Sequence, residues 1–276
     1  MSEKVFPGKI ILFGEYTVLE GYRALAIPFM DVSGQWVFSE GCETRLFEYG
    51  KWLDHLSQAI SWVKKSLVAE FMEDVGKGLC FQSSIPEGYG VGSSGAFVAA
   101  LYHRYFQDAE NDTPSILQEK FSLLESFFHG KSSGLDPLVS YTGSAILVDN
   151  KELQPLPLKS FRLPDKFTLV DTGISRLTGP IVQVFQEKKN DKKFQEEVLP
   201  TLGRYQELAI DAFLLQDWEN LKENFQQISH LQYENFREMI PEEFIAEWKE
   251  GLSKGPYFKL CGAGGGGYLM KWQSVE

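Results

Sequence analysis

Near the N-terminus the apolar positions fall in short runs. Residues 9–13 (KIILF) lie between Gly8 and Gly14, and residues 17–19, 24–29, 32–38 and 44–47 follow. Short β-rich runs bounded by turn residues predict strands. From Trp52 the period lengthens. Trp52, Leu53, Leu56, Ile60, Val63, Leu67 and Phe71 recur at spacings of three and four, which predicts one amphipathic helix ending near Gly76. Residues 79–85 return to a strand pattern, and residues 96–106 have helical spacing. Thr113-Pro114-Ser115 predicts another helix start, with Thr as N-cap and Pro at the first helical position. Ile116, Leu117, Phe121, Leu124, Phe127 and Phe128 form its apolar side. Residues 129–137 then read as a loop ending in an acid before proline, and residues 143–148 as a strand.

Residues 151–164 hold Pro155, Pro157 and Pro164 and little helical pattern, so a domain boundary is expected there, giving domains 1–155 and 156–276. The second half opens with a strand over 167–170. Helical stretches follow over 178–188, 194–215, 218–231 and 242–251. The chain then runs through strand (257–261), glycine turn (262–267) and strand (268–272). Glycine at such a turn lets backbone approach something that side chains would obstruct. The class is α+β in mixed layers.

Composition narrows the functions. An apolar fraction of 43% with 14% aromatics suffices for a core. The 27 basic and 38 acidic residues leave a formal charge of −11, which excludes a polyanion partner such as nucleic acid, because that binding needs clustered Lys and Arg. A small anionic ligand remains compatible. Three cysteines, Cys42, Cys80 and Cys261, are too few and too dispersed for a disulfide framework or a zinc site. With no signal-peptide pattern, this points to a reducing cytoplasm. No apolar run approaches the ~20 residues that span a membrane.

The chemistry concentrates in residues 86–100, PEGYGVGSSGAFVAA. Gly88, Gly90, Gly92 and Gly95 surround Ser93 and Ser94, and the apolar helix follows at once. Glycines let main-chain N–H groups converge, and a helix start offers unpaired donors with a partial positive charge. Both suit a phosphate. A glycine-rich turn with a serine cap and no ligand is the plain alternative. Gly90, Gly92 and Gly95 also satisfy G-x-G-x-x-G, but residues 86–89 make the loop too long for a dinucleotide turn. No Gly-Lys-Ser/Thr closes it, so it is not a Walker A loop. Elsewhere, Glu125 and His129 lie one turn apart on a helix, Asp136 precedes Pro137, and Lys9 opens the first strand.

Four separated stretches, PGKIILFGE, GVGSSGA, HGKSSGLD and KLCGAGGGG, occur in this order. As an ordered set they resemble the GHMP kinases, the superfamily of galactokinase, homoserine kinase, mevalonate kinase and phosphomevalonate kinase. Within it the chain is most similar to the mevalonate kinase family. That family's E-x-x-x-H-G-x-x-S-G-x-D is reproduced at every fixed position from Glu125 to Asp136. Two residues depart from the pattern. Tyr16 stands where mevalonate kinases usually have His, as phosphomevalonate kinases often do, and Gly95 stands where alanine is usual.

The resemblance implies a two-domain α+β GHMP kinase fold, with a ribosomal protein S5 domain 2-like N-terminal half and a ferredoxin-like C-terminal half. It implies ATP and Mg²⁺ as cofactors and transfer of the γ-phosphoryl group to a hydroxyl, that of mevalonate first. Gly88, Gly90, Val91, Gly92, Ser93, Ser94 and Gly95 would cradle the triphosphate, and Ser94 with Glu125 would hold the metal. Asp136 would take the hydroxyl proton, and Lys9 would stabilise the developing charge. Glu15, Tyr16, His129, Arg176, Thr178, Gly264 and Gly265 are the substrate-side candidates. Partners are then a small-molecule substrate, with neither nucleic acid nor membrane, and a homodimer is allowed. The rival readings are a kinase of the same fold with another acceptor, such as phosphomevalonate or a sugar, and a catalytically silent nucleotide-binding protein.

Overall fold

The computed structural model describes residues 4–39, 43–106, 112–156, 163–175 and 178–273. They form two compact units that interleave along the chain. The first comprises residues 1–8, 28–85 and 92–143, and the second residues 9–27, 86–91 and 144–276.

Two strands open the chain, β1 (Phe6–Phe13) and β2 (Ala24–Phe38). Between them residues Thr17–Glu20 form a 3-10 turn, not the expected strand. Gly21 closes that turn in the left-handed conformation, and its N–H donates to the carbonyl of Val18. The two expected strands at 24–29 and 32–38 are one continuous strand, because Pro28 and Asp31 interrupt the apolar pattern without breaking the extended backbone.

In the first unit, Gly34–Phe38 of β2 pairs antiparallel with β3 (Leu79–Ser83). Before β3 come α1 (Glu43–Ser57) and α2 (Lys65–Gly76). Residues 44–47, read as strand, belong to α1. The single helix expected from Trp52 to Gly76 is two, although its apolar spacing runs straight across the break. Then come α3 (Ser93–Tyr105), α4 (Pro114–His129) and α5 (Leu135–Thr142). The Thr113 side chain accepts from the N–H of Ile116, so the expected N-cap is present. Trp36, Tyr49, Phe71, Phe97 and Phe121 are buried in the core between these helices and the strands. Such rings contribute much of the apolar burial that stabilises a unit of this size.

In the second unit the strands run in the order β1-β2-β4-β5, with β4 (Ile146–Asp149) antiparallel to Ala24–Ala26 and to β5 (Glu152–Pro155). A separate antiparallel sheet has the order β6-β8-β7, from β6 (Phe167–Asp171), β7 (Phe258–Leu260) and β8 (Tyr268–Trp272). Among the described residues the helices α6 (Thr178–Lys188), α7 (Leu199–Leu214), α8 (Trp218–Asn235) and α9 (Glu242–Lys254) accompany it. Buried polar groups on α8 dock β7. Ser229 Oγ accepts from Trp248 Nε1 at 2.9 Å and from the Phe258 N–H at 3.2 Å, and Gln232 Oε1 accepts from the Leu260 N–H at 2.8 Å. Among the described residues no helix is long and apolar enough to cross a membrane. Cys80 is disulfide-bonded and Cys261 is a buried thiol, so the cysteine count alone does not fix a redox compartment.

Candidate active site

In the first unit the site is built at the start of α3. Gly92, its N-cap, has φ 79° and ψ 37°, a left-handed conformation that an L side chain would strain. Two residues on, in the first turn, Ser94 Oγ donates to Glu125 Oε1 of α4 at 2.8 Å. The other carboxylate oxygen, Oε2, accepts from Ser132 Oγ. Glu125 is buried. Its charge and the low-dielectric surroundings act together on Tyr49, whose hydroxyl donates to the Leu124 carbonyl at 2.9 Å. Burial first, and then the Glu125 carboxylate, push the Tyr49 phenol well above its usual range.

Asp136 sits in the first turn of α5. The expected loop over residues 129–137 therefore ends earlier, at Gly134. Pro137 is no obstacle there, since the N–H that proline lacks has no helical partner in a first turn, and an acid is favoured at that end. Helices α3 and α5 touch through Gly95. A Cβ on Gly95 would lie 2.8 Å from Asp136 C and Cβ and 2.9 Å from Pro137 N. The glycine that departs from the family pattern thus permits a close backbone approach beside Asp136. Gly95→Ala is expected to part the two helices and cost about 1–3 kcal/mol, the range for overpacking, read as a lower denaturant midpoint at unchanged slope.

The linking segment is pinned to α4. Ser122 Oγ donates to the Ser132 carbonyl at 2.6 Å, and Gln118 Nε2 to the Ser133 carbonyl at 2.8 Å. Gly134, with φ 71°, lies so close to α4 that a Cβ would fall 2.2 Å from the Gln118 carbonyl oxygen. The His129 side chain lies outside the described residues, although its backbone closes α4.

In the second unit, Lys9 is buried in β1, and its N–H donates to the Val91 carbonyl at 2.8 Å. This bond ties the strand to the glycine loop, where Gly88 and Gly90 have φ 78° and 70°. Glu15 is buried at the end of β1. Its Oε1 accepts from Lys259 Nζ and its Oε2 from Gln206 Nε2 at 3.4 Å. Gln206 Oε1 in turn accepts from Thr17 Oγ1. Burial raises the Glu15 carboxyl, while the charge and hydrogen bond of Lys259 and the charge of Lys9 pull it back down. Lys259 is itself fully buried and also donates to the Leu260 carbonyl at 2.8 Å. Lys259 opens the fourth stretch, KLCGAGGGG, without being singled out there, and no motif includes Gln206 or Thr17.

Tyr16 has φ 64° and ψ −45°, a positive φ uncommon for a ring-bearing residue. Its ring stacks on Phe185 at 4.5 Å and Phe236 at 5.8 Å, and its hydroxyl donates to the Ala263 carbonyl at 2.5 Å. The Tyr16 side chain is held among aromatics and bonded to the C-terminal glycine loop. In that loop the Gly265 N–H donates to the Met239 carbonyl at 2.6 Å, and the Gly267 N–H to the Ile174 carbonyl at 2.8 Å. A Cβ on Gly267 would lie 2.4 Å from the Tyr89 carbonyl oxygen, and one on Gly264 2.8 Å from that of Met239. The glycines serve close packing of the second unit's own segments. Arg176 and the Thr178 side chain lie outside the described residues.

A carboxylate and hydroxyl oxygens are hard donors, and one or two protein groups plus phosphate oxygens suit Mg²⁺, which rarely takes an all-protein cage. Glu125 with Ser94 fits that chemistry. Among the described residues no cluster of three or more His, Cys, Asp or Glu could hold a metal by itself.

No family model matches the chain. It is 28% identical to the mevalonate kinase of Thermococcus gammatolerans, in an alignment covering 95% of this chain and 86% of that protein. It is likewise 28% identical to the mevalonate kinase of Archaeoglobus fulgidus, over 96% and 89%. Among solved structures, the L. major mevalonate kinase in complex with R-mevalonate superposes with a TM-score of 0.67 at 18% identity, over 100% of this chain and 88% of that one. The Streptococcus pneumoniae phosphomevalonate kinase gives 0.66 at 16%, over 99% and 91%. The chain thus has the GHMP kinase fold, and along nearly its whole length its sequence is similar to mevalonate kinases.

Proposed function

We propose that this protein is a kinase that uses ATP and Mg²⁺ to phosphorylate a small-molecule alcohol, with mevalonate as the acceptor. The observation that carries the reading is the buried Glu125 carboxylate. It is held by Ser94 at the N-terminus of α3, one residue before the glycine that packs against Asp136. Phosphoryl transfer asks the protein for positioning and charge neutralisation more than covalent chemistry. Residues 88–95 receive the triphosphate, by convergent backbone N–H groups and a helix start. Ser94 and Glu125 hold the metal, which when bound neutralises charge on the transferring group. Asp136 takes the proton of the acceptor hydroxyl, and Lys9 supplies positive charge for the developing alkoxide. The division into family domains 1–155 and 156–276 belongs to the same proposal.

Tyr16 favours one second reading, phosphomevalonate as acceptor, since Tyr is frequent there in kinases of that substrate. Purified protein is incubated with Mg-ATP and mevalonate, phosphomevalonate, galactose or homoserine, and products are weighed by mass spectrometry. A phosphoryl group gained by mevalonate alone is the expected result. Gain by phosphomevalonate instead moves the assignment to the second reading. No gain on any acceptor, with ATP still bound, overturns both.

A further inference from the structure

The family pattern fixes Ser133, Gly134 and Asp136 but leaves residue 132 open, and here that residue is a serine. Its side chain is engaged twice. Ser132 Oγ donates to Glu125 Oε2, and the same oxygen accepts from the Gly134 N–H at 3.0 Å. Gly134 is the N-cap residue of α5, and Asp136 follows two residues later in the first turn. One hydroxyl therefore joins the α4 carboxylate that Ser94 holds at the start of α3 to the helix that carries Asp136. The backbone of Ser132 cannot drift away from this position, because Ser122 Oγ donates to its carbonyl at 2.6 Å. Gly134 does not cap α5 with a side chain of its own, so Ser132 supplies, two residues upstream, a hydroxyl acceptor for a helix-entry N–H.

We propose that Ser132 is a positioning residue for the phosphoryl-transfer site: it fixes the second oxygen of Glu125 and the entry of α5 at once. The inference rests on the kinase reading above. With each Glu125 oxygen bonded to a hydroxyl, the carboxylate is already held in one orientation when Mg-nucleotide arrives. Ser132 touches neither substrate nor the reacting atoms in this role. It acts through Glu125 and through Gly134. Outer partners of a metal-binding carboxylate typically contribute 10–100-fold in metal affinity or activity.

The test uses the full-length protein and the variants Ser132→Ala and Ser132→Thr. In the first measurement, Mg²⁺ is titrated against kinase rate at saturating ATP and acceptor. Ser132→Ala is expected to raise the Mg²⁺ concentration for half-maximal rate by roughly 10-fold or more, with the acceptor KM unchanged. Ser132→Thr, which keeps the hydroxyl, is expected to return the value to within a few-fold of wild type. The second measurement needs no turnover. Amide hydrogen exchange at Gly134 and Leu135 is expected to quicken in Ser132→Ala and not in Ser132→Thr. The third is the stabilisation of each protein by ADP with and without Mg²⁺, and only the Mg²⁺-dependent increment is expected to shrink in Ser132→Ala. A wild-type Mg²⁺ dependence in Ser132→Ala, or an equal loss in both variants, overturns the proposal. Wild-type protein without kinase activity overturns the kinase reading instead, and the exchange measurement still decides whether Ser132 holds the α5 entry.

Discussion

Asp136→Asn is expected to lower kcat by roughly 10²–10⁴-fold, the usual contribution of a positioned general base. Asn keeps the size of the side chain and its ability to accept a hydrogen bond in the first turn of α5, so the helix entry survives. What disappears is the capacity to accept the acceptor hydroxyl's proton. The loose transition state of phosphoryl transfer forms little bond to the nucleophile, which leaves much of the rate to positioning and electrostatics. The lower part of the range is therefore the one expected. Steady-state rates at saturating Mg-ATP and mevalonate measure it. Thermal stabilisation by Mg-ADP, which reports binding to the folded state only, is expected to stay at the wild-type value. An unchanged kcat removes Asp136 from the mechanism. A lost kcat together with lost nucleotide stabilisation makes it a structural residue of the α3–α5 contact instead.

The sequence marks most of the first unit's candidate residues and few of the second unit's buried polar contacts. Gly92, Ser94, Glu125 and Asp136 stand in short local patterns, and local patterns report helix starts and turns well. The N-cap at Thr113 was legible for the same reason. The two helices α1 and α2 were not separable, because apolar spacing continues across residues 58–64 with neither Gly nor Pro to mark the break. Helix α5 hid behind Pro137, since a proline after an acid reads as a turn until the first-turn exception is considered. Ser132 occupies a position that the motif leaves open, so only its contacts reveal it. The network of Glu15 and Lys259 spans 244 residues of sequence. No spacing rule links such a pair, and the strand FKL gives no sign that its lysine is fully buried. For Tyr16 and the C-terminal glycines, the residue types stand out in the sequence, and their long-range bonds do not. Those side chains and N–H groups are engaged within the second unit.

Lys259→Met is expected to destabilise the protein by about 3–5 kcal/mol, the cost of leaving one member of a buried ion pair without the other. Methionine fills similar volume, and its thioether suits the place over the Phe13 ring where the ammonium now lies 5.7 Å from the centroid. The loss is therefore electrostatic, not a cavity. Glu15 would keep Gln206, a hydrogen bond from its own backbone and the weaker influence of Lys9 against its desolvation. Its carboxyl, already raised by burial, would rise further. A carboxyl that binds its proton more tightly in the folded state than in the unfolded chain loses folding stability as pH climbs from the unfolded value to the folded one. The difference between variant and wild type is thus expected to be small near pH 4–5, where the group can stay neutral, and to grow toward pH 8. Urea unfolding at both ends of that range measures it. A deficit that is the same at each pH would mean that lost packing, not the orphaned Glu15 charge, dominates. The double change Lys259→Met with Glu15→Gln separates the two. It removes the charge as well as its partner and is expected to recover most of the deficit at pH 8, because neutral groups with hydrogen-bond partners cost far less to bury than a lone carboxylate. No recovery would place the stabilising role of Lys259 in its bond to the Leu260 carbonyl instead.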